Sequence, residues 1–312
     1  MPKVNTVLGP VDSKELGFTL MHEHVVAVSD SMRKNFSKWI DRDDVIKRSV
    51  EAVLQAKKLG VNTIVDATPI NLGRDISIIQ EVSKRSGVNF IVSTGLYWTD
   101  DPWMYAWDPK DIADILIKEI TDGIEGSDCK ANIIKAGTEL CGVTTLNHKV
   151  LQTASYLHLK TGLPITTHTA AKQEVGLLQL SVFESMGVDL SRVIIGHCGD
   201  SSNISYLEKI LQKGCYIGLD RFGIEDFLSS ELRMQVVIEL CEKGYENQIV
   251  LSHDYCSFID FAPDRVIQKI YPKWHYKYLC ETIIPELKKR GLSDKKIEIM
   301  TINNPKKIFE MN

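Results

Sequence analysis

The chain has 312 residues, 44% of them hydrophobic and 25% charged, and its formal net charge is −4. This composition is typical of a globular protein and excludes a disordered, collagen-like or coiled-coil chain. The charge balance predicts no basic surface for nucleic acid or an anionic membrane. Seven scattered cysteines without a CxxC pair argue against a disulfide framework or a cysteine-rich zinc site.

The amino-terminal sequence, MPKVNTVLGPVDSKELG, lacks the apolar segment of a signal peptide. No apolar stretch approaches the ~20 residues that a membrane-spanning helix requires. We therefore expect a cytoplasmic protein with reduced thiols.

Eight short apolar runs rich in β-branched residues recur along the chain. Most are continuously apolar rather than alternating, as expected of parallel strands that are covered on both faces. They comprise residues 18–24, 61–68, 88–95, 131–137, 163–168, 192–198, 215–220 and 248–254.

Segments with helical periodicity lie between and after these runs. They comprise residues 42–59, 146–160, 172–186 and 201–213, followed by two closing helices at 277–290 and 293–311. A strand–helix repeat of about 30 residues predicts a single-domain (β/α)8 TIM barrel over residues 1–312. Two doubly wound domains are the alternative, but no glycine-rich phosphate loop follows any run.

Polar residues that can bind metal ions stand at the ends of several runs, where a barrel builds its active site. They are His22, His24, Lys135, His168, His197 and Asp254. Several titratable groups buried together without partners would be costly, and bound metal would remove that cost. The pattern therefore predicts a metal centre at the mouth of the barrel.

The histidines of the first run lie two residues apart in the sequence LMHEHV. Alternate residues of a strand face the same side, so His22 and His24 should both face the barrel while Glu23 faces away. Glu23 then either orients a neighbouring group or is an ion-pair partner outside the ligand set.

Structural interpretations of the same residues stay open. His197 could be a core histidine bonded to a backbone carbonyl. Asp254 could cap a helix, with His253 as the catalytic partner instead. The remaining histidines are interpreted as surface or structural residues, and they are His148, His158 and His275.

Lys135 has two possible roles. A protonated amine beside metal ions would be repelled, so the side chain must lose its proton or react. A neutral lysine can add carbon dioxide to give a carbamate, which would bridge two metals. Alternatively, Lys135 pairs with an acid such as Glu139.

These strand ends together resemble the binuclear amidohydrolase superfamily. More narrowly, the chain is similar to the phosphotriesterase family and, within it, to the phosphotriesterase-like lactonases. The resemblance covers essentially the whole chain and rests on LGFTLMHEHV, NLGRD, STGLYW, PITTHT, IIGHCGD, IGLDRFG, LSHDYC and NNPKKIF.

The resemblance implies two divalent metal ions, a buried α metal and a more exposed β metal. Its ligand pattern assigns His22, His24 and Asp254 to the α metal and His168 and His197 to the β metal. Lys135, as N6-carboxylysine, and a hydroxide would bridge the two ions. Zinc is the first candidate, and iron, cobalt or manganese also suit such ligands. The resemblance further implies a homodimer.

The activity implied by the resemblance is metal-dependent hydrolysis of a lactone ring by a metal-bridging hydroxide, with weak promiscuous phosphotriesterase activity. Asp254 would take the proton of the hydroxide and return it to the leaving group. Tyr97 and Arg221 would contact the substrate. Alternatively, Tyr97 is a rim aromatic and Arg221 pairs with Asp220 or Asp226.

An apolar substrate pocket is predicted, which favours an acyl-homoserine lactone or an alkyl lactone. Its predicted residues are Tyr97, Trp98, Arg221, Phe222, Phe258 and Phe261, with further apolar candidates at Ile224, Phe227, Ile259 and Ile267. Phe261 stands where lactonases of this group often carry tryptophan. The alternatives are a true phosphotriesterase, a non-catalytic binding barrel, or a sugar-phosphate lactonase that binds phosphate through Arg265, Lys269 and Lys273.

Overall fold

Eleven strands are found within residues 2–310, the part of the chain that this computed structural model describes. β1 (Lys3–Thr6) and β2 (Gly9–Asp12) form an antiparallel hairpin. The later strands pair in parallel and are β3 (Phe18–Ala27), β4 (Val61–Asp66), β5 (Asn89–Gly95), β6 (Ile133–Gly137), β7 (Ile165–His168), β8 (Val193–Ile195), β9 (Tyr216–Leu219), β10 (Ile249–Leu251) and β11 (Cys256–Ile259).

Helices follow the strands in alternation, as the sequence predicts. They are α1 (Asp30–Asn35), α2 (Arg42–Lys58), α3 (Ile76–Ser86), α4 (Pro109–Leu116), α5 (Lys118–Thr121), α6 (Thr145–Thr161), α7 (Val175–Ser185), α8 (Ile204–Leu211), α9 (Ser230–Glu242), α10 (Asp264–Ile270), α11 (Ile284–Lys289), α12 (Asp294–Glu298) and α13 (Asn304–Phe309). Among the described residues, none of these helices is long and apolar enough to cross a membrane.

The two closing helices are less regular than predicted. Each contains a π-helical segment, Leu279–Ile283 and Ile299–Asn303, before the α-helical part resumes. Pro285 and Pro305 stand in the first turn of the α-helical part that follows. Proline has no N–H and its ring crowds the preceding turn, which accounts for the wider turn there. Residue 311, the predicted end of the last helix, lies outside the described residues.

The parallel strands form one sheet in the order β10-β9-β8-β7-β6-β5-β4-β3-β11. Each of the eight predicted runs coincides with one strand from β3 to β10, although β3 continues three residues beyond its run, to Ala27. The sheet curls so that the end of β10 meets β3, where the backbone N–H of Asp254 donates to the carbonyl of His22 over 3.0 Å. The predicted (β/α)8 TIM barrel is confirmed.

Two buried clusters lie on the two sides of the sheet. The smaller fills the barrel interior with one side chain from most barrel strands. Its members on those strands are Met21, Val65, Ile91, Ile133, Ile194, Tyr216 and Val250. The larger lies between the sheet and the helices. The interior cluster is a packed floor, and the polar strand ends stand above it.

Strand β3 contains an irregularity that matters for the site. Leu20 pairs with Ile64 and Glu23 with Asp66, so three residue steps on β3 oppose two on β4. This bulge lets the consecutive residues Met21 and His22 both face the interior, which a regular strand does not allow. A strict period of two does not predict this feature.

Candidate active site

The barrel mouth brings together the six polar residues that the sequence singles out. Lys135 Nζ lies 2.5 Å from His22 Nε2, and His24 Nε2 lies 3.1 Å from Asp254 Oδ1. On the opposite side of the mouth, His168 Nδ1 lies 2.9 Å from His197 Nε2. All except the partly buried Asp254 are buried. Their role as metal ligands stays a prediction at this point.

Two groups of these side chains have the geometry of a metal site. In one, the ligand atoms of His22, His24 and Asp254 all lie within 4.8 Å of one another. The other joins His22 and His197 to Asp220 under the same limit. Asp220 was missed as a site residue, although it ends the seventh predicted run as Asp254 ends the eighth.

Three residues of the site have a strained backbone conformation that orients their side chains. His197, Arg221 and Asp254 have φ values of 57°, 64° and 56°, which are left-handed conformations that favour glycine. Each stands just beyond the carboxyl end of β8, β9 or β10. Strain of this kind persists only where the surrounding structure holds it, and it is concentrated at functional sites.

Hydrogen bonds orient His197 and His24. Asp220 contacts His197 twice, accepting the backbone N–H over 3.0 Å and facing ring Nδ1 over 2.9 Å. Burial, followed by repulsion from Asp254, raises the pKa of Asp220 to about 7. His24 Nδ1 lies 2.7 Å from the hydroxyl of Thr68, which leaves Nε2 facing Asp254. Such partners fix which ring nitrogen is available to a metal.

Burial shifts four nitrogen side chains of the site toward their neutral forms, and they are His22, Lys135, His168 and His197. Burial lowers the pKa of His168 to about 4 and that of Lys135 to about 8. It also holds the pKa values of His22 and His197 well below the ordinary value. Burial opposes ionisation of Asp254, but the neighbouring histidines and Arg221 outweigh it and hold that pKa well below its usual range.

This donor set fits divalent metal ions. Imidazoles and an ionised carboxylate are ligand types that zinc and related metals take. Hydrogen bonds to the outer nitrogens of His168 and His197 leave the inner nitrogens facing each other over 2.9 Å. Two facing lone pairs repel each other, and a cation between such groups removes that repulsion.

The alternative that Lys135 forms an ion pair with Glu139 does not match the structure. Glu139 bonds His168 Nε2 over 2.7 Å instead of pairing with Lys135. The amine of Lys135 faces His22 and is buried. A buried amine with a lowered pKa is open to reaction with carbon dioxide, and its carboxylation stays a prediction.

Glu23 and His253 form a support outside the ligand set. Glu23 Oε1 lies 2.7 Å from His253 Nδ1, and Glu23 also accepts from the hydroxyl of Ser252 and the backbone N–H of Tyr255. His253 Nε2 accepts the N–H of Leu279 over 2.9 Å, so both ring nitrogens are engaged away from the site. The alternative that His253 is the catalytic partner is therefore corrected, and Glu23 orients the end of β10.

Arg221 is held by partners that the sequence did not indicate. Its Nε donates to Asp254 Oδ2 over 3.0 Å and its Nη1 to Asp200 Oδ2 over 2.8 Å. Asp200 also accepts from Arg233 Nη2 over 2.7 Å. The suggested pairing with Asp220 or Asp226 is thus corrected, because the guanidinium bonds Asp254 at the end of the neighbouring strand β10. Asp200 lies in the motif IIGHCGD, but no local pattern marks Arg233 on α9.

Tyr97 lies on the opposite side of the mouth from Arg221. Its hydroxyl is 3.4 Å from His168 Nδ1, and its backbone N–H donates to Asn71 Oδ1 over 2.6 Å. Burial, followed by the charge of Asp254, raises the pKa of Tyr97 well above its ordinary value. The phenol therefore stays a hydrogen-bond donor at neutral pH.

A cavity of about 280 Å³ opens onto the cluster. Its polar lining includes Tyr97, Glu139, Arg221 and Asp254. Its apolar lining includes Ala27, Leu72, Ile224, Phe227, Cys256, Ile259, Phe261 and Trp274. The cavity therefore combines an apolar wall with a few convergent polar groups, as small-molecule sites do.

Four predicted pocket residues lie outside this cavity lining. One of them, Ile267 on α10, lines a separate cavity. Phe222 is fully buried in the cluster between sheet and helices. Phe258 lies on β11 and packs against the same cluster, because β11 pairs with β3. Trp98 packs beside Tyr97 with tilted rings whose centres lie 5.6 Å apart, and its carbonyl accepts from Asn147 Nδ2 over 3.1 Å. The pocket prediction is corrected at these positions.

Comparison with known proteins agrees with this geometry. The model of the phosphotriesterase family matches residues 2–309. The chain belongs to the phosphotriesterase family. Family membership identifies it as a metal-dependent hydrolase of the phosphotriesterase-like type.

Several relatives span nearly the whole chain. A phosphotriesterase homology protein of Mycobacterium tuberculosis is 38% identical over 320 residues, covering 99% of this chain and 98% of the relative. An aryldialkylphosphatase of Saccharolobus solfataricus is 37% identical over 303 residues, 96% of each chain. An N-acetyltaurine hydrolase of Rattus norvegicus is 27% identical over 347 residues, 97% of each. These activities are those of the relatives.

The fold has a near match among solved structures. The structure of the phosphotriesterase from Mycobacterium tuberculosis aligns with a TM-score of 0.96 at 38% identity, covering 99% of this chain and 98% of that one. The relatives named above include hydrolases that act on different substrates. Substrate choice in the family must therefore come from the residues around the mouth rather than from the fold.

Proposed function

We propose that this protein hydrolyses the ring ester of an N-acyl-homoserine lactone or an alkyl lactone, with two divalent metal ions and weak phosphotriesterase activity. One observation carries the proposal. The hydroxyl of Tyr97 and the guanidinium of Arg221 flank the metal-binding cluster from opposite sides, beneath an apolar cavity wall.

The proposed metal positions follow from the donor groups. His22, His24 and Asp254 would hold the α metal, and His168 and His197 the β metal, with zinc the first candidate. Lys135 as N6-carboxylysine would add an anionic ligand where its amine now faces His22. The ions would supply two effects, a lowered pKa for bound water and polarisation of the ester carbonyl.

Asp254 is the proposed proton carrier. Its Oδ1 lies 3.1 Å from His24 Nε2, and its Oδ2 accepts from Arg221 over 3.0 Å. These contacts keep the carboxylate ionised and fixed in place, so it can accept a proton from the attacking water. It would then return that proton to the alkoxide that leaves when the ring opens.

Tyr97 and Arg221 are the proposed substrate contacts. The neutral phenol of Tyr97 can donate a hydrogen bond to the carbonyl or ring oxygen as negative charge develops there. Arg221 is held by two carboxylates, Asp200 and Asp254, so its guanidinium is oriented before substrate binds. The ring of Phe227 packs 4.6 Å from the guanidinium carbon and helps to hold it.

The cavity wall favours an uncharged substrate. Its apolar side chains can cover an acyl or alkyl tail, and the carboxylate of Glu139 on the wall would repel a phosphate group. The basic residues suggested as a phosphate clamp, Arg265, Lys269 and Lys273, are exposed and absent from the lining. This weakens the sugar-phosphate alternative.

A substrate panel tests the proposal. We would compare kcat/KM for acyl-homoserine lactones, alkyl lactones, a phosphorylated sugar lactone, an aryl phosphotriester and N-acetyltaurine, and measure metal content on the same preparation. The expected result is two ions per chain and the highest kcat/KM for a neutral lactone. A preference for the phosphotriester or N-acetyltaurine over every lactone would reject the lactonase assignment.

A further inference from the structure

Glu139 lies just beyond β6 and contacts a predicted metal ligand without being one. Its Oε2 is 2.7 Å from His168 Nε2, while His168 Nδ1 faces His197 Nε2 over 2.9 Å. We propose that Glu139 is a positioning residue that fixes the tautomer and orientation of His168 and thereby sets the affinity of the β-metal position. The inference rests on the proposed two-metal function.

The chemistry of the contact determines the tautomer. An ionised carboxylate only accepts hydrogen bonds, so His168 must carry its proton on Nε2 when it donates to Glu139. The lone pair is then on Nδ1, on the side of His197. The other tautomer would direct an N–H at the metal position and prevent coordination. A carboxylate behind a histidine also raises the basicity of the coordinating nitrogen.

Glu139 is itself fixed by local structure. Its Oε1 accepts the backbone N–H of Leu140 over 3.0 Å. The turn is closed by the N–H of Gly142, which donates to the carbonyl of Glu139 over 2.9 Å, and Gly142 takes the left-handed φ of 79° that this turn needs. On the other side, Gln179 Nε2 donates to the carbonyl of His168 over 2.8 Å. Both partners of the contact are therefore held before metal binds.

Asp220 bonds His197 as Glu139 bonds His168, but it is much more deeply buried. Asp220 contacts His197 Nδ1 over 2.9 Å, and its side chain is 1% exposed. The side chain of Glu139 is 30% exposed and borders the cavity. Removing Glu139 therefore leaves the His197 side of the position intact. We expect a weakened β-metal position rather than the loss of the whole centre.

Metal binding to the full chain tests the inference directly. Wild type, Glu139→Ala and Glu139→Gln would be stripped of metal and titrated with Co²⁺ against a competing chelator, with cobalt absorption and elemental analysis as readouts. For Glu139→Ala we expect a β-position Kd about 10- to 100-fold weaker and an α-position Kd unchanged. Glu139→Gln keeps a carbonyl oxygen that can accept from Nε2, so its Kd should fall between.

A surface variant provides the control. Glu184 pairs with Lys213 over 2.7 Å on the helical side of the barrel, and Glu184→Gln should bind both ions as wild type does. Two unchanged Kd values in Glu139→Ala, or equal weakening of both, would overturn the positioning role while leaving the proposed function standing. A wild type that binds fewer than two ions would overturn the proposed function. If Glu139→Ala does not fold, the Kd values of Glu139→Gln decide the question alone.

Discussion

The strand ends and the loops at the mouth of the barrel are built in different ways. At the strand ends, His22, His168 and His197 are buried, and hydrogen bonds to fixed partners orient the ring of each of the latter two. On the loops, Phe227 and Phe261 line the cavity with exposed fractions of 43% and 68%. Chemistry is thus placed on rigid strands, while substrate contacts are placed on loops that can vary without disturbing it.

The largest effect is expected at the strand ends, from Asp254→Asn. The amide has nearly the same size but cannot take a proton, and it loses the charge that pairs with Arg221. Loss of one general acid–base group lowers kcat/KM by about 10²- to 10⁴-fold, which lactone hydrolysis assays would measure. Asp226→Asn, on the exposed loop after β9, is the control and should change the rate little. Near-wild-type turnover in Asp254→Asn would show that Asp254 does not carry the proton.

The next effect concerns the packing beneath the cluster. Gly95 has a φ of 106°, and a Cβ there would lie 2.0 Å from the carbonyl oxygen of Lys135. Gly187 has a φ of 78° but nothing within 4 Å of such a Cβ. Urea unfolding should show a loss of about 1–2 kcal/mol for Gly187→Ala, from the left-handed backbone alone. Gly95→Ala should lose about 3 kcal/mol more, from the clash. Equal losses would show that the strand ends can shift apart easily.

Metal removal should destabilise the strand ends and leave the loops unaffected. A ligand present at about 100 times its Kd stabilises the folded state by about 2.7 kcal/mol, so chelation should lower Tm measurably. Zinc should restore Tm, whereas calcium, which prefers oxygen ligands, should not. Phe261→Ala should show the same change in Tm on chelation as wild type. An unchanged Tm in chelated wild type would contradict the metal centre.

The sequence predicts the strand ends better than the loops for a physical reason. A continuously apolar run indicates a buried strand, and a histidine, lysine or aspartate near its end indicates a side chain at the barrel mouth. Both features can be read from the strand's own sequence. The bulge that brings His22 inward depends instead on pairing with β4. The pairing of Arg221 with Asp200 depends on how a turn 21 residues earlier packs against it. Phe222 and Phe258 were misplaced because their burial depends on tertiary contacts. The homodimer and the cytoplasmic location stay predictions.

Tyr97→Phe tests a residue that belongs to both regions, because it follows strand β5 directly and also lines the substrate cavity. Removing one hydrogen bond of about 1–1.5 kcal/mol should lower kcat/KM for a lactone about tenfold. The rate with an aryl phosphotriester should fall less, because that substrate has no ring oxygen for the phenol to contact. Equal losses on both substrates would remove the role assigned to Tyr97.

Phe261→Ala should have the smallest effect, and one that depends on the substrate. The ring is 68% exposed in the single chain, so a bound tail has apolar surface left to bury there. Partial burial contributes less than the 1.5–3 kcal/mol of a fully buried ring, so we expect about a fivefold lower kcat/KM for a long-chain lactone and little change for a short-chain one. Phe36→Ala, at an exposed residue away from the cavity, should leave both rates unchanged. A loss that is the same for every tail length would mean that the loop supports the strand ends after all, and the separation between chemistry and substrate contact would fail.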